Sequence, residues 1–238
     1  MVYWIVATLC AYFVKGLCGF ANTLVFTSIL SFGVNNVDIS PVDLLLGFPA
    51  NVIVVFRERK AVKWSLCLPL AGLVILGCIP GALFLKNVDV KLIKIFFGAV
   101  IIFVGVEMLL REMRAKKTKP SRAMMLFIGV LSGVLCGLYG VGALVGAYIS
   151  RMTDDSHAFK GNISMVFFCE NVFRIILYIA SGVMTMTAFL SALKLLPVEL
   201  AGLALGMLAG KVMDERKAKY AVVAALIVSG AALIVNSL

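Results

Sequence analysis

The chain reads as an all-α polytopic membrane protein with about eight membrane segments in two inverted repeats, the first segment of each repeat broken or re-entrant. Three observations predict this. Hydrophobic residues make up 62% of the 238 positions and the mean hydropathy is +1.07, against an apolar share of about 45–50% in soluble globular domains. Apolar runs recur along the whole length, separated only by short charged segments. A glycine-rich phrase occurs twice inside apolar stretches, as Gly16-Leu17-Cys18-Gly19-Phe20-Ala21 and as Gly137-Leu138-Tyr139-Gly140-Val141-Gly142. Glycine at hydrocarbon depth breaks a helix and frees backbone N–H groups, which is tolerated mainly where the bare backbone lines a cavity or holds a solute.

Taken in order, the apolar stretches are 2–32, 40–56, 65–85, 93–110, 124–149, 159–180, 188–210 and 219–237. The first and fifth contain the glycine phrases. The other six are long enough for single crossings. The duplication extends past the glycines: Asn51-Val52 answers Asn171-Val172, and Leu68-Pro69 answers Leu196-Pro197. Gly81, Lys86, Asp89, Lys94 and Gly105 match Gly206, Lys211, Asp214, Lys219 and Gly230 at one constant offset. The simplest organisation is a first four-segment repeat at 1–110, a basic linker at 111–123 and a second repeat at 124–238.

Charge decides how the repeats lie. If each broken stretch crosses once, the loops on the two sides hold ten and nine Lys/Arg, which is no bias. If each dips in and returns as a hairpin, loops 57–63, 111–122, 150–160 and 211–219 share one side with sixteen Lys/Arg. The other side keeps only Lys86, Lys91 and Lys94. The hairpin arrangement therefore carries a positive-inside signature, inverts the second half and puts both termini outside the cytoplasm. Length agrees for 2–32: two arms of about thirteen residues are each too short for a ~30 Å core, and one continuous helix would be too long. The 26 residues of 124–149 are compatible with a kinked crossing as well.

The formal charge of +10 follows from this loop bias, so a nucleic-acid partner is not implied; the lipid bilayer is the partner instead. No segment is long enough for a soluble domain. The start, Met1-Val2-Tyr3-Trp4, lacks a basic n-region and reads as part of the mature fold. Cys10, Cys18, Cys67, Cys78, Cys136 and Cys169 lie within apolar runs without CxxC spacing, and His157 is the one histidine. No disulfide framework, metal centre or cofactor is implied.

The chain resembles the TauE/SafE family of bacterial anion transporters, named for sulfite and organosulfonate export. The likeness rests on the glycine-rich segment Gly133 to Gly142, on Lys211-Val212-Met213-Asp214-Glu215-Arg216, and on Val62-Lys63-Trp64 with Pro69 and Gly81. It implies eight membrane segments in two related halves, a small sulfur-containing or carboxylate anion as solute, and residence in the bacterial cytoplasmic (inner) membrane. The first break departs from the family pattern, with Phe20-Ala21-Asn22 where adjacent glycines are usual, so the choice of anion does not carry over.

Helix arms facing each other across such breaks present positive dipole ends and unpaired N–H groups to an anion. The candidate substrate-binding residues are Gly19, Phe20, Ala21, Asn22 and Thr23 from one half and Gly140, Val141, Gly142 and Ala143 from the other. The competing reading is that these glycines only let helices pack closely. Asn51 and Asn171 are repeat-related amides able to donate and accept, or else to bond helix to helix. Arg174, in the middle of an apolar run, is a candidate anion partner. Glu170, one turn earlier, is the proton-coupling candidate or a structural partner of Arg174. Lys15 borders the first break. Lys194 and Glu199 read as structural, and Trp4 and Trp64 as interface anchors.

These features favour a secondary transporter of a small anion, possibly proton-coupled, with a passive anion channel as the alternative. No P-loop, G-x-S-x-G or H-E-x-x-H is present, so neither ATP hydrolysis nor an intramembrane enzyme is indicated. The anion, the direction of transport, the coupling ion and the oligomeric state, including a homo-oligomer, stay open at this level.

Overall fold

A computed structural model describes residues 2–30, 33–34, 36–84, 122–140, 142–153 and 155–212, with a few positions between 95 and 106 and between 227 and 234. The apolar stretches 93–110 and 219–237 and the linker thus lie largely or wholly outside the described residues. Eight α-helices and no strand occur among those described. They are α1 (Val2–Cys18), α2 (Asn22–Leu30), α3 (Asn36–Glu58), α4 (Trp64–Phe84), α5 (Arg122–Tyr139), α6 (Ala143–Met152), α7 (Ser156–Ala180) and α8 (Met186–Ala209). α3, α4, α7 and α8 are long and apolar enough to cross a membrane. Their outward faces carry Leu68, Leu76, Ile176, Ile179, Leu193 and Leu208, all more than half exposed, as surfaces in contact with lipid do.

Both glycine-broken stretches fold back on themselves. Trp4, near the start of α1, meets Phe26 of α2 edge-on at 5.8 Å between ring centroids. Arg151, near the end of α6, reaches Met124 at the start of α5, with Nη1 3.9 Å from Sδ. A helix that continued past its break would carry those residues apart at 1.5 Å per residue. The arms are not equal, however: 17 and 9 residues in α1 and α2, 18 and 10 in α5 and α6. The expected thirteen-residue arms are corrected here, because the chain turns at the last glycines of each phrase and stays helical through Gly16 and Gly137.

Those earlier glycines serve packing. A Cβ on Gly16 would overlap the backbone of α8 at Leu203 and Met207, and one on Gly137 the backbone of α4 at Cys78 and Ala82. Gly77 and Gly81 of α4 face the carbonyls of Val130 and Val134 on α5 in the same way. Gly202 and Gly206 of α8 face those of Leu9 and Phe13 on α1. Each long hairpin arm is thereby pressed against a helix of the other half at glycine-to-backbone distance, the close approach small residues allow in membranes.

α3 and α7 run antiparallel through the centre. The Ser40 and Tyr178 hydroxyls lie 2.9 Å apart at one end. At the other, His157 Nδ1 lies 2.8 Å from Glu58 Oε2, and Asn162 Oδ1 accepts the Lys63 amide at 2.8 Å. Asp155 caps α7 by accepting the Ala158 amide at 2.7 Å, an ordinary N-cap bond.

Candidate functional site

The two breaks are built alike. The Gly19 amide donates to the Lys15 carbonyl and the Gly140 amide to the Cys136 carbonyl, each at 2.7 Å. Gly19 and Gly140 take φ of +86° and +70°, the left-handed conformation that closes a helix and favours glycine. Helix then restarts with Val25 N–H to Ala21 and Gly146 N–H to Gly142, each at 3.1 Å. The first-turn amides of α2 and α6 have no acceptor within their own helices, as at any helix start, and the positive dipole ends lie at the turns.

Between the breaks is a small cavity of about 30 Å³, room for one or two waters. Of the residues expected at the site, Phe20, Ala21, Asn22, Thr23 and Asn51 line it from the first half. Gly140, Gly142, Asn171, Arg174 and the coupling candidate Glu170 line it from the second. Gly19 does not; it faces a second cavity. Ala143 begins α6, and Val141 lies outside the described residues. The breaks meet at Thr23, whose Cγ2 is one of the atoms a Cβ on Gly140 would crowd, at 3.0 Å.

The lining is densely charged although buried. Arg174, 2% exposed, holds its Nε 3.0 Å from Glu170 Oε1 and donates from Nη1 to the Cys136 carbonyl. It therefore covers the open carbonyl end of α5 and packs its guanidinium on Gly140. Lys15, 1% exposed, is held differently. Its ammonium donates to Asn51 Oδ1 at 2.7 Å and to Asn22 Oδ1 at 3.3 Å, two neutral amides. Asn51 thus orients a cation. Asn171, read from sequence as its repeat counterpart, sits instead at Gly47, where a Cβ would come 3.5 Å from Asn171 Nδ2.

Sequence reasoning missed Asp43, Gly47 and Phe167. Asp43 Oδ2 accepts from the Thr23 hydroxyl at 2.6 Å, while Oδ1 has no hydrogen-bond partner. The signal was present: Asp43, Gly47 and Asn51 are spaced i, i+4, i+8 and so share one face of α3. Phe167 closes the second break, for a Cβ on Gly142 would fall inside its ring.

A larger cavity of about 380 Å³ opens beyond Lys15. Arg57, His157, Lys160 and Lys211 line it, with Glu58 as its carboxylate. The stem of Lys160 lies over Gly19, and Phe20 packs edge-on against Phe159 at 5.7 Å. Lys15 borders both cavities.

The profile of the sulfite exporter TauE/SafE family matches residues 4–233, nearly the whole chain. The chain belongs to that family. Membership makes it a multi-pass membrane protein of a transporter family whose solutes are small anions of the sulfite kind. No curated protein and no solved structure matches the chain.

Proposed function

We propose that this TauE/SafE member is a secondary carrier of a small sulfur oxyanion or carboxylate, gripped where the two hairpin breaks face each other. One observation carries the reading: two helix starts and two buried cations, Lys15 and Arg174, converge on a single cavity. Amide N–H groups and positive dipole ends bind oxyanions in this way, and a guanidinium adds directional donors. The narrowness of the centre, about 30 Å³, favours a carrier over a wide pore.

The same reading makes the halves inverted repeats. In its support, α3 and α7 are antiparallel, and the α1–α8 and α4–α5 contacts use repeat-related glycines. The ends of α3 and α8 and the start of α7 gather at the basic cavity. By the positive-inside rule this end is cytoplasmic, and the cavity is then the cytoplasmic vestibule through which the anion comes and goes.

Purified protein in proteoliposomes is expected to move labelled sulfite saturably and to exchange it across the membrane. Gly140→Leu, which drives a side chain into Arg174 and Thr23, is expected to insert and to lose that flux. Non-saturable wild-type flux would turn the reading to a channel. No wild-type flux with sulfite, organosulfonates or carboxylates would overturn it.

A further inference from the structure

The charges around the central cavity already cancel. Lys15 and Arg174 supply two positive charges, Asp43 and Glu170 two negative ones. An anion entering this buried space adds a charge with no counter-ion, which a low-dielectric site resists strongly. A proton taken up by one carboxylate at the same moment removes the excess.

The two carboxylates are not equivalent. Glu170 is joined to Arg174 one turn along the same helix at 3.0 Å, and its proton-free form is what that pair requires. Among the described residues Asp43 is in no ion pair. Its bonded neighbour is the Thr23 hydroxyl at 2.6 Å, and Oδ1 is buried with no hydrogen-bond partner. A hydroxyl donates to a carboxylate or accepts from a carboxylic acid by rotating its own hydrogen. Thr23 therefore partners Asp43 in both protonation states with no heavy atom displaced, and it does so at the first residues of α2, beside the proposed anion site.

The groups that face Asp43 from the surrounding helices are few. α1 brings Lys15 and Tyr12, the latter donating to the Asp43 carbonyl at 3.4 Å. α2 brings Asn22 and Thr23, and α7 brings Arg174 and Glu170. On α8, Glu199 is fully buried with neither oxygen hydrogen-bonded, and it acts on Lys15 and Tyr12.

We propose that Asp43 is the proton-carrying residue of this transporter: its carboxylate takes up one proton as the anion docks at the facing breaks and releases it when the anion leaves. The step is acid–base only, with the proton drawn from and returned to water. Glu170, the candidate from sequence, then serves as the standing counter-ion of Arg174. The proposal rests on the anion site proposed above.

Its test is binding to purified protein, which does not require turnover. Sulfite affinity is measured calorimetrically at several pH values at which sulfite is fully ionised, for wild type, Asp43→Asn, Asp43→Glu and Glu170→Gln. A co-bound proton makes wild-type affinity rise by up to about tenfold for each pH unit lowered. Asp43→Asn is expected to flatten that dependence, and Asp43→Glu to restore it. An Asn variant that keeps the wild-type slope, or a slope lost in Glu170→Gln but kept in Asp43→Asn, overturns the proposal. So does a flat wild-type profile. Absence of sulfite and organosulfonate binding by wild type at every pH removes the anion site itself, and this proposal with it. Should Asp43→Asn fail to fold, Thr23→Val takes its place; it removes the hydroxyl that donates to the carboxylate and is expected to shift the slope to higher pH, and an unchanged slope there counts against Asp43.

Discussion

The first and second breaks share a backbone and differ in everything attached to it. Both end a long arm with the same glycine-closed turn and restart a short one with the same hydrogen bond. At the first, the cation, Lys15, belongs to the hairpin itself and is held by neutral amides. At the second, the hairpin contributes bare glycine, and Arg174 arrives from α7 with its own carboxylate. The two turns therefore share their backbone dipoles and differ in their charges. One break holds a cation paired with a carboxylate, the other a cation held by neutral amides.

Breaking the pair at the second break has the largest expected effect. Arg174→Met strands a buried Glu170 and exposes the Cys136 carbonyl, a loss of about 3–5 kcal/mol by the usual cost of half a buried pair. The check is a fall in the thermal unfolding temperature of detergent-solubilised protein, partly recovered in Arg174→Met/Glu170→Gln. Lys15→Met leaves two amide oxygens without a donor, about 1–3 kcal/mol, and removes the cation that faces Asp43 and Glu199. That protein is expected to fold and to lose anion affinity, which calorimetry reads directly. A Lys15 variant as unstable as the Arg174 variant would erase the contrast between the breaks.

Smaller effects test the turns. Gly140→Ala forces an alanine into φ +70° with Arg174 and Thr23 3.0 Å from the new methyl, costing at least about 1–2 kcal/mol. Ala21 already stands at φ +71°, so Ala21→Gly relieves strain while loosening the unfolded chain. The net is expected within about 1 kcal/mol of zero. Paired melts of these two variants show whether the turns carry equal strain.

How legible all this was follows from what each residue does. Hydropathy located α3, α4, α7 and α8 within a few residues, because a lipid-facing helix must be apolar over its length. The fold-back of 2–32 was legible from loop charge and arm length, whereas 124–149 was equally compatible in sequence with a kinked crossing. The division of labour among the glycines was not. Gly16 and Gly19 look alike in the sequence, yet one packs on α8 and the other turns the chain, because only a partner helix distinguishes them. The close-packing reading was thus right for Gly16 and Gly137, and the break reading for Gly19 and Gly140. The charged lining was half visible. Arg174 and Glu170 announced themselves by standing in an apolar run, while Asp43 hid near the polar start of α3, where a carboxylate is unremarkable. What brings it to Thr23 is the fold-back of α2, which no local pattern encodes. Trp64 is 56% exposed, whereas Trp4 meets Phe26 edge-on.

The cross-stitching of α1 to α8 and of α5 to α4 has a consequence for how the molecule is made. A polypeptide cut in the linker would emerge as two pieces, each presenting a furrow of naked main chain along its first helix, shaped for a neighbour that only the other piece carries. The seat for α1 is completed only once α8, about 170 residues later in the chain, has been synthesised.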